Sequence, residues 1–321
     1  MDIPHLFVMD PLHKINVAGD STYMMMLEAR RRGWSVAYCT PDDLFAEGGV
    51  AWGRVCAVEV TEAAPHFLPG PPEDRPLASF AVVWMRKDPP FDLEYIFATY
   101  VLELVAAPTV VLNHPASIRS ANEKMFAQQF ADFGPHTLVT REVRRVVDFA
   151  ARAPGRIVLK PWDGNGGRGV LVTQHGDPNL RSMAETLTHE QRTAILVQHY
   201  VPEITIGDKR IILIDGEPVG WMLRVPQPGD HRGNMHVGAQ VQATTLSPRD
   251  REVCDRLGPV LREMGLLFVG IDMIGPALTE INVTSPTGFR EINRLMGTAL
   301  ERQLADAVEA RVRRAQEAAR R

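Results

Sequence analysis

Along the first third of the chain, apolar and polar residues alternate in blocks that predict strands and helices in turn. Residues 5–9 (HLFVM) form a short apolar run. A polar stretch opened by Asp10-Pro11 follows, then a helical pattern over residues 21–32, which Ser21 can cap and Gly33 can end. Residues 35–39 (SVAYC) read as a second strand. Strand, helix and strand in that order make a βαβ unit, which implies a parallel sheet with a right-handed crossover. Residues 80–85 (FAVVWM) and 109–112 (TVVL) are further buried strands, with a helix over 91–106 between them. The proline-rich stretch 63–76 reads as a surface loop, and 115–119 as a linker into a new unit.

Beyond that linker the pattern changes character. Residues 122–130 predict a helix, and 156–160 (RIVLK), 170–173 (VLVT) and 195–198 predict strands. Residues 210–214 and 219–224 form a hairpin turned at Asp215-Gly216. From 225 to 240 the pattern dissolves into Pro, Gly, His and Asn, as in a mobile loop. Residues 257–264 are helical, 268–273 and 279–283 are strands, and the tail from Gly297 is helical. The fold class is α/β with α+β character.

Composition narrows the function. The chain has 321 residues, 45% hydrophobic and 23% charged, which suits a globular enzyme of two or three packed units. A net charge of -4 argues against nucleic acid as the main ligand. The arginines of the tail (Arg311, Arg313, Arg314, Arg320, Arg321) read as the solvated face of a last helix. Cys39, Cys56 and Cys254 form no C-x-x-C pair, and an odd number makes a poor disulfide framework, so a reducing compartment is expected. No signal peptide and no apolar run long enough to span a membrane is visible, which leads us to expect a cytoplasmic protein.

Two clusters carry candidate chemistry. Residues 164–169 (GNGGRG) match G-x-G-x-x-G, yet the residues after them favour a strand, which does not fit a dinucleotide fingerprint. A glycine hairpin remains, either a plain turn or a flap whose N–H groups cradle phosphate. Lys160 ends the strand before it, as a point charge for a nucleotide or as a solvated lysine. The second cluster is Asp272, alone in an apolar strand, with Glu280 and Asn282 on one face of the next. An unpaired acid in such a strand is costly, and three oxygen-bearing side chains suit Mg²⁺ bound together with phosphates; the alternative is the polar face of an edge strand. Ser285 and Thr287 add hydroxyls close by. Arg210, Arg224 and Arg232 suggest a carboxylate-bearing substrate. Arg86-Lys87-Asp88 follows a strand at its carboxyl end, where open α/β sheets bind ligands. His114, His199 and His236 lack metal-ligand spacing.

These residues resemble the ATP-grasp superfamily and, within it, the bacterial glutathione synthetases. The resemblance runs along nearly the whole chain and is carried by residues 9–11 (MDP), 85–92 (MRKDPPFD), 122–124 (NEK), 159–161 (LKP), 207–210 (GDKR), 265–272 and 279–287 (TEINVTSPT). It implies an ATP-grasp fold behind an N-terminal parallel-sheet βαβ domain. The bounds would be 1–121 for that substrate-side domain, 122–201 for a subdomain with the glycine loop, and 202–321 for one with the metal site. Lys124 and Lys160 would contact ATP phosphates, with Gly164, Asn165, Gly166 and Gly167 closing over them. Gln198, Tyr200 and Val201 would line the adenine pocket, and Asp208 would lie near the ribose. Glu280 and Asn282 would bind Mg²⁺ or Mn²⁺, with Asp272 beside them. Arg210 and Arg224 would be the substrate-side arginines and Arg232 the arginine of the lid. Arg86, Asp88, Ser285 and Thr287 would bind substrate. The implied reaction joins γ-glutamylcysteine and glycine, with ATP, through an acyl phosphate, in a homo-oligomer (dimer or tetramer). A ligase of another dipeptide and amine, or a non-catalytic ATP-binding protein of this fold, are the alternatives.

Overall fold

The computed structural model describes residues 2–164, 166–227, 233 and 238–321. Three sheets follow one another along the chain. The first contains β1 (His5–Val8), β2 (Val36–Cys39), β3 (Leu44–Glu47), β4 (Val50–Val60), β5 (Phe67–Pro76), β6 (Val82–Met85) and β7 (Val110–Leu112), ordered β3-β4-β2-β1-β6-β7, with β5 also on β4. The pairs β1–β2, β1–β6 and β6–β7 are parallel, as the βαβ pattern requires. Helices α1 (Ser21–Arg31), α2 (Leu93–Glu103) and α3 (Pro115–Ser120) complete this part.

The parallel strands β1 and β6 at the centre of the first sheet are buried on both faces, and alternation sets which side chain goes where. Leu6, Val8, Val83 and Met85 pack into one core with Leu102 of α2. Phe7, Val82 and Trp84 enter another, with Met26 of α1. That second core also takes Ile212, Met222, Phe268 and Phe289 from the far end of the chain, which ties the N-terminal sheet to the third sheet.

The second sheet has the order β10-β9-β11-β8, from β8 (Thr137–Thr140), β9 (Ile157–Pro161), β10 (Leu171–Thr173) and β11 (Ile195–His199). Helices α4 (Val143–Arg152) and α5 (Leu180–Leu187) cover one face through Val146, Phe149, Leu180 and Ala184. The third sheet runs β14-β13-β12-β15-β16, from β12 (Asp208–Ile214), β13 (Glu217–Val225), β14 (Gln240–Gln242), β15 (Phe268–Ile274) and β16 (Ala277–Asn282). Helix α6 (Pro248–Glu263) packs on it, and α7 (Phe289–Met296) and α8 (Leu300–Ala319) close the chain.

Several local expectations need correction. Residues 63–76 are not all loop: Phe67–Pro76 pairs antiparallel with β4. An edge strand tolerates prolines, because the missing N–H can face solvent. The expected linker at 115–119 is α3, which Pro115 starts at a position where its absent N–H is no loss. The expected helix at 122–130 is instead a 3₁₀ segment, Phe126–Phe133, interrupted at Phe130, where φ is -118° and ψ 40°. Asp20, not Ser21, caps α1, accepting from the Tyr23 amide at 2.6 Å. Ser21 is buried, and its hydroxyl accepts from Gly288 and Phe289 amides, each at 3.2 Å. Helix α6 begins well before residue 257, with a capping box between Ser247 and Asp250.

Candidate functional site

Alternation along the third sheet builds the site. On β15, Val269, Ile271 and Met273 face the core under α6, so Phe268, Gly270 and Asp272 face the other way. The antiparallel register sets Arg210 opposite Asp272, and Asp272 opposite Glu280. Asp208 stands opposite Arg224 in the hairpin β12–β13. Gly270 stands opposite Asn282, and a Cβ on Gly270 would come within 3.0 Å of the Arg210 side chain. Glycine there leaves room for the guanidinium to cross the strand. The result is a polar stripe facing a cleft whose opposite wall includes Lys160 and Gln198 of the second sheet. The cleft opens to solvent.

At one end two lysines surround one carboxylate. Lys124 and Lys160 are 3% and 7% exposed, and their Nζ atoms lie 3.4 and 3.9 Å from Glu280 Oε1. Lys124 also donates to Glu123 and, at 2.5 Å, to the Gly164 carbonyl at the start of the glycine loop. Burial favours loss of the Lys160 proton and, against the pull of Glu280, holds its pKa below the ordinary lysine value. Burial works the same way on Lys124, but Glu280 and Glu123 more than offset it, and its pKa is raised. Burial first and the charge of Glu280 second push Glu123 up to about 7. Gly166 and Gly167 take φ of 63° and 76°, conformations glycine adopts without strain.

At the other end two arginines close over one carboxylate. Arg210 grips Asp272 through Nε (2.7 Å) and Nη2 (3.1 Å), and Arg224 Nη2 lies 3.0 Å from the same group. Burial would raise the Asp272 pKa, but the two guanidiniums overcome it and hold the carboxyl below its ordinary range. Asn282 Nδ2 adds a 3.3 Å contact. Arg224 also bonds Asp208, which burial pushes up to about 7 against the pull of Arg224, with the like charge of Asp272 adding to the rise. Among the described residues Asp208 Oδ1 and Arg224 Nε are buried without a partner, so this corner offers one acceptor and one donor to a ligand. Between the two ends, Val158, Val170, Val172 and Ile274 form an apolar patch beside Gln198, Tyr200 and Val201. Gln198 donates to Thr137 Oγ1 at 2.9 Å, and the Arg156 guanidinium lies 3.9 Å over the Tyr200 ring.

Most sequence-predicted residues thus meet. Lys124, Lys160, Gly164, Gly167, Gln198, Tyr200, Val201, Asp208, Arg210, Arg224, Asp272, Glu280 and Asn282 line the cleft or touch a residue that does. Arg86, Asp88 and Ser285 form a neighbouring group: Arg86 Nη2 donates to the Pro286 carbonyl (3.1 Å) and Ser285 Oγ to Asp88 (2.5 Å). Thr287 is half-buried in the same loop. Asn165 and Arg232 lie outside the described residues. Sequence reasoning gave no role to Glu123, Asp20 or Gly233. A Cβ on Gly233 would come within 2.5 Å of the Asp208 Cβ, so the backbone there approaches the Asp208 corner closely. The motif Asn122-Glu123-Lys124 was the available signal for Glu123; nothing local marks the other two.

Among the described residues no cluster of three or more His, Cys, Asp and Glu side chains is placed to hold a metal ion by itself. The donors here are Glu280, Asn282 and Asp272, an all-oxygen set that fits a hard cation completing its shell with phosphate and water.

A class of protein comes first from the fold. The structure is similar to D-cycloserine synthetase DcsG at a TM-score of 0.66, with 16% identity over 96% of this chain and 99% of that one. It is similar to the ATP-grasp ligase PsnB complexed with minimal precursor at 0.62, with 19% identity over 97% and 99%. Mixed α/β sheets enclosing a lysine- and acid-lined cleft in this way define an ATP-grasp protein. At the level of sequence, the profile of the prokaryotic glutathione synthetase N-terminal domain matches residues 3–119, and that of the same family's ATP-grasp domain matches 123–297. Glutathione synthetases of Brucella melitensis biotype 1 and Pseudomonas aeruginosa are each 46% identical to the chain, covering 94% and 95% of it and 97% of their own length. The chain belongs to the prokaryotic glutathione synthetase family.

Proposed function

We infer that the protein is a glutathione synthetase, which uses ATP to join γ-glutamylcysteine to glycine and releases glutathione, ADP and phosphate. The observation that carries this reading is the pair of buried lysines set against Glu280, facing two arginines across one cleft. Lys124 and Lys160 hold phosphate oxygens of ATP, and the loop from Gly164 folds over them with its backbone N–H groups. The apolar patch beside Gln198, Tyr200 and Val201 takes the adenine ring, and Asp208 accepts from the ribose. Glu280 and Asn282, with Asp272 beside them, would hold Mg²⁺ or Mn²⁺, which when bound neutralises charge on the phosphates. Arg210 and Arg224 draw in the cysteinyl carboxylate, with Arg232 as the lid arginine, and Arg86, Asp88, Ser285 and Thr287 hold the rest of the dipeptide.

The carboxylate attacks the γ-phosphate and displaces ADP. The glycine amine then attacks the resulting acyl phosphate, and phosphate leaves. Closure over the cleft protects that intermediate from water. Within the chain we assign 1–121 to the substrate-side domain, 122–201 to the subdomain with the glycine loop and 202–321 to the subdomain with the metal site. We further propose a homo-oligomer acting in the cytoplasm. Among the described residues no helix is long and apolar enough to cross a membrane.

ADP release measured over a panel of acids and amines tests the reading. Turnover should require γ-glutamylcysteine and glycine together and vanish in Glu280→Ala. Efficient turnover of another pair, with none for this one, would overturn it.

A further inference from the structure

Helix α2 carries large apolar side chains on two opposite faces. Its inner face packs Tyr95, Ala98, Val101 and Leu102 into the core of the first sheet. Its outer face carries Leu93, Phe97 and Tyr100, continued by Leu104 just past its end, at 79%, 52%, 55% and 45% exposure. Ten large hydrophobic side chains are exposed among the described residues, and four of them lie in this one stripe. Apolar residues scattered singly over a surface need no partner, but a helix apolar on both faces is one that is covered on both. The steps along the stripe are four, three and four residues, the spacing of a seam that packs against another helix. None of the four lines the nucleotide cleft.

Symmetry says which helix fits. A two-fold interface joins one patch to itself, so that residue i meets j and j meets i. Steps of four, three and four read the same in both directions. Set antiparallel, Leu93 of one copy meets Leu104 of the other and Phe97 meets Tyr100, with aliphatic chains at the rim and aromatic rings at the centre. The charges agree. Arg119 of α3 donates to Thr99 Oγ1 at 3.3 Å, pairs with Glu103 and lies 4.2 Å over the Tyr100 ring, so it stands along one flank of the stripe near its end. Asp92, the N-cap of α2, comes seven positions before Thr99, two helical turns back on that same flank. An antiparallel pair brings Arg119 of each copy beside Asp92 of the other and sets the two helix dipoles head to tail. A parallel pair would gather Asp92 and Glu94 of both copies at one end. We propose that α2 is a two-fold interface, on which a second copy of the chain docks its own α2 antiparallel through Leu93, Phe97, Tyr100 and Leu104. This gives a surface to the homo-oligomer proposed above and is independent of the ligase reading.

Sedimentation velocity on the full chain reads the mass. The unsubstituted protein should sediment as two chains or an even multiple, and Phe97→Asp should halve that mass while its circular dichroism spectrum stays the same. Cross-linking reads the orientation. Leu93→Cys and Leu104→Cys, mixed and left to exchange, should be joined by a short bismaleimide into covalent dimers. Each variant alone should not be joined, because like residues of an antiparallel pair lie about 17 Å apart along the helices. Cys39 and Cys254 are buried and Cys56 is half-buried, and the unsubstituted protein treated in the same way gives their background. A monomeric unsubstituted protein would overturn both the surface and the homo-oligomer. An oligomer whose mass Phe97→Asp leaves unchanged would overturn the surface alone. Should Phe97→Asp lose its fold, the cross-linking pattern decides the surface by itself. Joining of each cysteine variant to itself, or no joining in the mixture, would overturn the antiparallel pairing.

Discussion

At the lysine end of the cleft, Lys160 stands 3.9 Å from Glu280, beyond hydrogen-bonding reach, whereas at the arginine end Arg210 grips Asp272 through bonds of 2.7 and 3.1 Å. Both ends pair two buried cations with one carboxylate, yet they are in opposite states. The lysines are compact point charges; Lys124 spends donors on Glu123 and the Gly164 carbonyl, while Lys160 makes no hydrogen bond among the described residues and can donate to phosphate oxygens. The arginines are planar forks bound to Asp272, with the Nε of Arg224 left without a partner among the described residues. The lysine end is therefore arranged for a ligand, and the arginine end for the architecture around it as well.

That contrast predicts where substitutions act. The largest effect is expected for Lys160→Met: about 10³-fold loss in kcat/KM, as for removal of one charge-stabilising group. Its melting temperature should hold or rise, since an apolar chain replaces a buried charge. A parallel fall in stability, seen by thermal unfolding, would erase the distinction between the ends. Asp272→Ala should behave in the reverse way. It strands Arg210 and Arg224 and should cost about 3–5 kcal/mol in denaturant unfolding. A loss below about 1 kcal/mol would mean that water or other groups already serve those arginines.

The acids offer a gentler probe. Burial pushes both Glu123 and Asp208 up to about 7 in the folded chain, against ordinary values of 4.5 and 3.8. The folded state therefore binds these protons more tightly than the unfolded one. Stabilisation from them is complete below pH 4 and is lost as pH rises to about 7. Glu123→Gln should gain stability relative to the unsubstituted protein over pH 4.5 to 7.5, with the difference levelling above that range. A flat difference across the series would show that Glu123 is ionised throughout. The smallest effect is expected on α8, where Arg313 pairs with Glu309 in solvent. Arg313→Ala should change stability by less than about 0.5 kcal/mol and activity not at all.

The two ends were also unequally legible in the sequence. Lys160 could be read because it closes an apolar strand against a glycine cluster. Glu280 and Asn282 could be read because two positions along a strand return to the same face. Asp272 was recognisable as an acid that needs a partner, but not which partner. Arg210 lies 62 positions away and reaches it only because β12 and β15 pair in one register. Glu123 was invisible as a perturbed acid for the same reason: its pKa is set by burial and by Glu280, a tertiary neighbour. In the backbone, the parallel strands of the first sheet were legible from their apolar runs. The prolines of β5 hid an edge strand, and the bend at Phe130 turned an expected helix into 3₁₀ turns. Asp20 was passed over because Ser21 next to it is an equally good cap by type, and only the packing of Ser21 against Gly288 and Phe289 decides between them.

The acyl phosphate is tested most directly by isotope transfer. γ-Glutamylcysteine carrying ¹⁸O in both oxygens of its cysteinyl carboxylate should be turned over with unlabelled ATP and glycine. Attack of that carboxylate on the γ-phosphate, followed by departure of phosphate from the carbonyl carbon, places one ¹⁸O in each phosphate released and leaves the other in the new amide. Phosphate released without label, at a rate matching glutathione formation, would contradict the account.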